Sequence, residues 1–350
     1  MKNRRWIKIA IPFLFIVAVY LLGPKPDPPN YADTFPVVPE EPEQLEAYIK
    51  GKEGQHRLKA DNEARIVWND SSRQKTEYAV IYLHGFSASQ KEGDPVHRRF
   101  ARQFGCNLFL SRLADHGIDT TDALYYFTAD RAWESAKEAL AIGERLGSKV
   151  IIMSTSTGGT LGLMLAARYP DKVHALINLS PNIAINDPAA FLLNDPWGLQ
   201  IARMVMGGQY RDTGASEEES GYWNGRYRLE SLVQLEELLE SSMTVETFRK
   251  VFHPSLTLYY YKNEAEQDPQ VKVSAMLEMH EQLSTPDSLK SAKAMPQAGA
   301  HVLGSSITSD DVDGVYAEIE KFASTILPMT DHSFPRKTAK TSFNAYPEKP

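Results

Sequence analysis

Cysteine is nearly missing from this chain. Cys106 is the sole one among 350 residues, so no intrachain disulfide can form. Its place in the apolar run CNLFL reads as a buried strand, not as a reactive thiol. Basic runs are absent beyond the extreme N-terminus and the formal charge is −7, which argues against nucleic acid as a partner. Neither a His-Glu-x-x-His nor a Cys-x-x-Cys pattern occurs, so no metal is implied, and nothing calls for another cofactor. Ser309 to Glu320 superficially follows a calcium-loop register, with Asp311, Asp313 and Gly314 in place. It opens on serine, however, and has helical periodicity. Internal repeats are also lacking. What is present is a hydrophobic content of 42%, enough for a sizeable core in one large α/β domain.

The N-terminus differs in kind. Lys2, Arg4, Arg5 and Lys8 precede an uncharged apolar stretch from Ile9 to Leu22, interrupted only by Pro12. Pro24 stands where a signal peptidase would have to cut, and no cysteine follows for lipid attachment. These features predict an uncleaved signal anchor over residues 1–23, a single transmembrane pass with the bulk of the chain on the periplasmic or extracellular side. A cleaved signal is the alternative. Pro24, Pro26, Pro28 and Pro29 then suggest a stiff linker over 24–44.

From residue 45 to 328 the pattern alternates between strands and helices. Strands are expected near Leu45–Ile49, Ala64–Trp68, Tyr78–Leu83, Cys106–Leu110, Val150–Met153, Ala175–Leu179, Leu256–Tyr261 and Ser291–Met295. Helices are expected over Arg131–Leu146 and Val312–Ile326, where apolar residues recur every three or four positions. Near-continuous apolar runs such as YAVIYL fit strands covered on both faces, so the fold class is α/β with a doubly wound, mostly parallel sheet. Residues 181–254 break the rhythm. They hold Trp197, Met204, Met206, Tyr222, Trp223 and Tyr227, then an amphipathic helix through Leu232, Leu235, Leu238 and Leu239. Such an insertion is either a helical lid suited to an apolar acyl group or an ordinary insertion whose aromatics pack on the core. Residues 329–350 read as a disordered tail.

The most telling stretch is VIIMSTSTGGT, Val150 to Thr160. A strand runs into a turn carrying Ser156 and straight on into a helix-competent run. A serine at such an apex is held in strained geometry with its hydroxyl exposed above the sheet edge. The next backbone N–H, that of Thr157, is free to face a developing oxyanion. Ser154 and Gly158 flank the apex because strand and helix nearly collide there. Activating a serine calls for an acid and a histidine further along the chain. His301 lies in a small-residue loop, QAGAH, after the last expected strand. The loop after Tyr261, KNEAEQDPQVKV, offers the acid: Asp268, which opens a turn into a helix, or Glu264, nearer the strand end. A second oxyanion donor is expected at the N–H of Phe86, in the loop His84-Gly85-Phe86 after the strand Tyr78–Leu83, with His84 shaping that loop and Gly85 letting the backbone turn.

HGFSAS (His84–Ser89), RLADHG (Arg112–Gly117), Ser154–Gly159 and Gly299–His301 occur in an order and spacing that resemble the α/β-hydrolase superfamily, over roughly residues 75–325. Within it the chain is most similar to serine carboxylesterases and monoacylglycerol lipases, which share the HGF loop, the charged-x-x-x-His-Gly turn and a short helical lid. That resemblance implies hydrolysis of small-molecule acyl esters through an acyl-enzyme. Ser154 stands where the pattern has glycine. The superfamily also holds thioesterases, C–C bond hydrolases, peptidases and non-catalytic binders, so fold alone does not settle the reaction.

Overall fold

The computed structural model describes residues 2–332. In chain order its strands are β1 (Arg65–Val67), β2 (Thr76–Leu83), β3 (Asn107–Leu110), β4 (Gly147–Thr155), β5 (Ala175–Leu179), β6 (Tyr210–Asp212), β7 (Arg226–Arg228), β8 (Ser255–Tyr259), β9 (Tyr261–Asn263), β10 (Glu266–Gln267) and β11 (Lys290–Ala294). The helices are α1 (Lys2–Leu21), α2 (Pro42–Glu53), α3 (Val96–Gln103), α4 (Ala129–Leu146), α5 (Thr157–Arg168), α6 (Gly198–Met206), α7 (Glu217–Tyr222), α8 (Leu229–Ser242), α9 (Val245–Arg249), α10 (Val273–Gln282) and α11 (Val312–Thr325).

Seven strands form one sheet in the order β1-β3-β2-β4-β5-β8-β11, parallel throughout except for β1 against β3. Alternation along each strand splits the core in two. Ala79, Ile81 and Leu83 of β2 join Val150 and Ile152 of β4 on the face covered by α4 and α5. Val80 and Tyr82 join Ile151 and Met153 on the face covered by α3 and α11. Burial on both faces is why these strands read as unbroken apolar runs. From β2 the chain winds outward to β3, then returns to the other side at β4. The carboxyl ends of β2 and β4 therefore flank the point where strand order reverses, the usual place for a site in such sheets.

Two expectations require correction. Leu45–Ile49 is not a strand but part of α2: Pro42 starts the helix, and Leu45 and Ile49, four apart, bury on one side of it. The transmembrane signal anchor over residues 1–23 is overturned as well, since no helix among the described residues is long and apolar enough to cross a membrane. Helix α1 spends its first turns on Lys2, Arg4, Arg5 and Lys8. The apolar remainder from Ile9 to Leu21 rises only about 20 Å at ~1.5 Å per residue, against a hydrocarbon core of roughly 30 Å. Attachment to a membrane through this segment and the outward-facing localisation rested on that span and fall with it. The end of α1 instead meets the insertion: Trp197 Nε1 donates to Val19 O at 3.0 Å and Tyr20 Oη to Asp195 at 3.3 Å.

Within residues 24–44, Tyr31 packs edge-on against Trp133 at 6.3 Å and Phe35 against Tyr169 at 4.9 Å. Lys137 of α4 is fully buried, and its Nζ donates to the carbonyls of Ala32 and Thr34, both at 2.8 Å. Residues 181–254 contain α6 to α9 and, unexpectedly, a small β6–β7 hairpin. Of the expected tail, Met329 is buried and His332 N donates to Gln103 O at 2.8 Å; residues 333–350 lie outside the described residues.

Candidate active site

Ser156 sits at the junction of β4 and α5 with φ 52° and ψ −120°, outside the regions an L-residue prefers. The surroundings force it there. A Cβ added at Gly158 would lie 1.9 Å from Leu83 O and 2.8 Å from His84 O, and one at Gly159 would lie 2.6 Å from Pro181 Cβ. The helix therefore presses directly on the end of β2, and only glycine fits. Ser156 N donates to Leu179 O at 3.1 Å, while its carbonyl accepts from Gly159 N at 2.8 Å and Asn182 N at 2.9 Å. Ser154, two residues earlier, is buried and donates its hydroxyl to Asn178 Oδ1 on β5 at 3.0 Å. That bond explains how a serine is accommodated at a glycine position.

His301 and Asp268 come together although 33 residues separate them: Nδ1 lies 2.7 Å from Oδ2. Asp268 is fully buried, and its other oxygen accepts from Gln270 N at 2.9 Å and Val271 N at 3.1 Å. Burial alone would raise the Asp268 pKa; the His301 charge, its hydrogen bond and the two backbone N–H groups outweigh burial and hold the carboxyl below its ordinary value. For His301, burial pulls downward, and the carboxylates of Asp268 and Glu92 more than compensate, so its pKa lies above 6.5. Glu264 is elsewhere. It is exposed and accepts from Tyr261 Oη at 2.9 Å.

His84 is fully buried, its Nε2 accepting from Leu113 N at 3.0 Å. That leaves the proton on Nδ1, which donates to Gly85 O at 2.9 Å. Burial, followed by the neighbouring His116, lowers its pKa well below 6.5, so His84 is a neutral brace for the loop. Phe86 packs edge-on against Phe127 at 5.4 Å and Tyr227 at 5.2 Å, which fixes the direction of the backbone between Gly85 and Ser87. Thr157, the first residue of α5, is buried. Arg112 and Glu53, both nearly buried, form a two-pronged ion pair under the RLADHG turn, with Arg112 Nε at 2.7 Å from Oε2 and Nη2 at 2.9 Å from Oε1. Cys106 is buried and its thiol pushed up to about 12 by that burial.

One residue of this centre has no signature in the sequence. Glu92 lies in the short 3₁₀ turn Gln90–Gly93, where a charged string, QKEGD, reads as solvated surface. It is 2% exposed, and Gly85 N donates to its Oε2 at 2.5 Å. A Cβ on Gly85 would stand 2.8 Å from Glu92 Oε1 and 2.9 Å from Ser156 Cβ, so carboxyl and serine flank the same point of backbone. Only the contact with the glycine of the HGF loop betrays the residue, and spacing cannot show it.

A cavity of about 670 Å³ opens between α6, α8 and the Tyr125–Thr128 loop, with Tyr126, Phe127, Leu193, Leu199 and Val233 among its walls. Phe127 is shared between this cavity and the packing around Phe86.

A family model described as alpha/beta hydrolase fold matches residues 78–220. No curated protein matches the sequence significantly. Among solved structures, the chain is similar to a metagenome-derived lipolytic enzyme described with LipS and LipT (TM-score 0.58, 14% identity, covering 76% of this chain and 98% of that one). It is similar to a monoacylglycerol lipase of Paleococcus ferrophilus (TM-score 0.55, 14% identity, 75% and 98% covered). A soluble variant of monoglyceride lipase from Saccharomyces cerevisiae also matches (TM-score 0.52, 12% identity, 77% and 92% covered). At such identities the likeness speaks to the fold.

Proposed function

Given a chain with the α/β-hydrolase fold, similar in structure to lipases and esterases, we propose that it is a serine hydrolase cleaving carboxylic esters through an acyl-enzyme. The observation that carries the reading is the buried His301–Asp268 pair; the strained backbone of Ser156 supports it. Ser156 Oγ attacks the ester carbonyl while His301 Nε2 takes its proton. Asp268, anchored by two backbone N–H groups, keeps the remaining imidazole proton on Nδ1 and faces the imidazolium that forms. The N–H groups of Phe86 and Thr157 receive the oxyanion. His301 returns the proton to the departing alkoxide. A water molecule, deprotonated in turn by His301, then releases the acid and regenerates the serine.

For the substrate we favour an acyl ester of small to medium size, of the carboxylesterase or monoacylglycerol-lipase type, with residues 181–254 as the lid. The apolar part of the cavity, Tyr126, Phe127, Leu193, Leu199 and Val233, supports this, while Lys25, Arg131, Asp195 and Glu230 line the rest and Phe127 links it to the Phe86 loop. A fluorophosphonate probe should label Ser156, and Ser156→Ala should abolish labelling, keep the thermal midpoint and reduce ester turnover by about a thousandfold or more. A labelled Ser154, or an unlabelled protein, would remove the reading. Labelling without turnover of any ester in a chain-length series would keep the serine chemistry and direct the search to thioesters or amides.

A further inference from the structure

Glu92 occupies a position that the catalytic scheme leaves unexplained. Its turn lies between the two loops that carry the site. On one side the Glu92 carboxyl holds Gly85 N. On the other, a Cβ at Gly304 would lie 3.4 Å from Glu92 O, Ser306 N donates to Asp94 O at 3.1 Å, and Pro95 bridges Ser305. The insertion closes the third side. Asn224 N donates to Ser87 O at 2.7 Å, the Lys91 ammonium stands 5.6 Å over the Tyr222 ring, and the Trp223 side chain acts on the Glu92 carboxyl as a donor that lowers its pKa.

We propose that Glu92 is a positioning residue of the hydrolase: its buried carboxyl fixes the oxyanion-loop glycine beside Ser156 and couples that loop electrostatically to Trp223 of the insertion and to His301. The proposal rests on the serine-hydrolase reading for its kinetic consequence, though not for its electrostatic one. Two ionisable groups act on His301, Asp268 from the loop after β10 and Glu92 from the turn before α3. His301 and Trp223 act in turn on Glu92, and the phenol of Tyr82 on β2 lies within its field. The nearby Asp94 is turned away to Lys91 at 2.7 Å and Arg98 at 3.5 Å. Burial raises the Glu92 pKa to about 7 against the pull of Gly85 N–H, His301 and Trp223, so the carboxyl changes charge within the working range of an imidazole. Seating Trp223 favours its charged form, and that form favours the imidazolium generated when Ser156 attacks the ester carbonyl. Opening the insertion would withdraw both effects together.

The test compares the parent protein with Glu92→Gln and Trp223→Phe, each labelled with ¹⁵N-histidine. In Glu92→Gln, His301 should titrate about half to one pH unit lower than in the parent, because a facing negative charge is gone. The acid limb of kcat/KM should move with it. Turnover should fall about tenfold with KM within about twofold, the pattern of an interaction felt in the transition state. Trp223→Phe keeps the ring but removes the donor; it should shift His301 in the same direction by a smaller amount, and it reads the coupling even if Glu92→Gln fails to fold. A His301 titration unmoved in both variants would reduce Glu92 to a packing residue and overturn the proposal. An inactive parent protein with a shifted titration would instead sink the hydrolase reading and leave the coupling standing.

Discussion

The β4–α5 turn that carries Ser156 and the insertion of residues 181–254 are built on opposite terms. Around Ser156 every small residue has a reason: Gly158 meets backbone at 1.9 Å, Gly159 meets Pro181, and Ser154 is tied to Asn178. In the insertion, Met204 is 80% exposed, Val205 74% and Phe191 54%, and Gly207, Gly208, Gly214 and Gly221 have nothing within 4 Å of an added Cβ. One region is over-determined by its neighbours and the other is free to change. Where the two meet, at Gly85, Glu92 and Trp223, the rigid part can sense the adaptable part.

That contrast can be broken or sharpened by mutation. Asp268→Asn removes the buried carboxylate of the rigid part, leaving the imidazole free to take the wrong tautomer. Ester turnover should drop by up to about ten-thousandfold. Glu264→Gln, a few residues away in exposed chain, should stay within severalfold of the parent in the same assay. Comparable losses in the pair would mean the acid has been misplaced.

Gly158→Ala tests the frame itself. The added methyl meets main chain on β2 and cannot be relieved by a rotamer, so stability should fall by about 3 kcal/mol in a denaturant titration. Gly214 has open space but a φ of 67°, which makes it a poor control; Gly221, with open space and no such φ, is the right one, and its alanine variant should be nearly neutral.

Glu92 offers a pH-resolved comparison. A carboxyl raised from 4.5 to about 7 on folding favours the folded chain fully below its ordinary value, and that contribution is lost as pH climbs through about 7. Glu92→Gln escapes this loss. Relative to the parent, the variant should gain about 2–3 kcal/mol in unfolding free energy between pH 4 and pH 8. A constant difference across that range would contradict a buried, titrating Glu92. The smallest effect is expected in the insertion: Met204→Ser, at a side chain 80% exposed, should change unfolding free energy by no more than about 0.5 kcal/mol.

The sheet was legible in the sequence because its strands are buried on both faces, so β2, β4 and β5 stand out as unbroken apolar runs bounded by turn residues. The turn at Ser156 was legible for a related reason, since steric collision at Gly158 leaves a compositional trace. Leu45–Ile49 misled because LEAYI alternates like a strand while also placing Leu45 and Ile49 on one helical side, and Pro42, the helix start, outweighed the alternation. The β6–β7 hairpin was missed because three-residue strands, with Tyr227 the sole buried member, carry no readable period. Glu92 and Trp223 were hidden for a deeper reason. Their meaning comes from loops that converge in space, and a carboxyl in a charged string looks like any solvated one.

The buried lysine of α4 also has a practical bearing on where this protein can be cut. Its ammonium has the carbonyls of Ala32 and Thr34 as acceptors, with Glu134 at 2.8 Å as its remaining partner. The stretch around Tyr31 and Phe35 therefore serves the α/β-hydrolase-fold domain as a stave serves a cask, thin and external yet closing a seam. A shortened version for crystallisation or immobilisation should keep its new first residue ahead of Asn30. Starting instead at the obvious helix boundary, Pro42, would take both carbonyl acceptors from the buried ammonium, leaving it Glu134, and strip Tyr31 and the Ala32 carbonyl from Trp133.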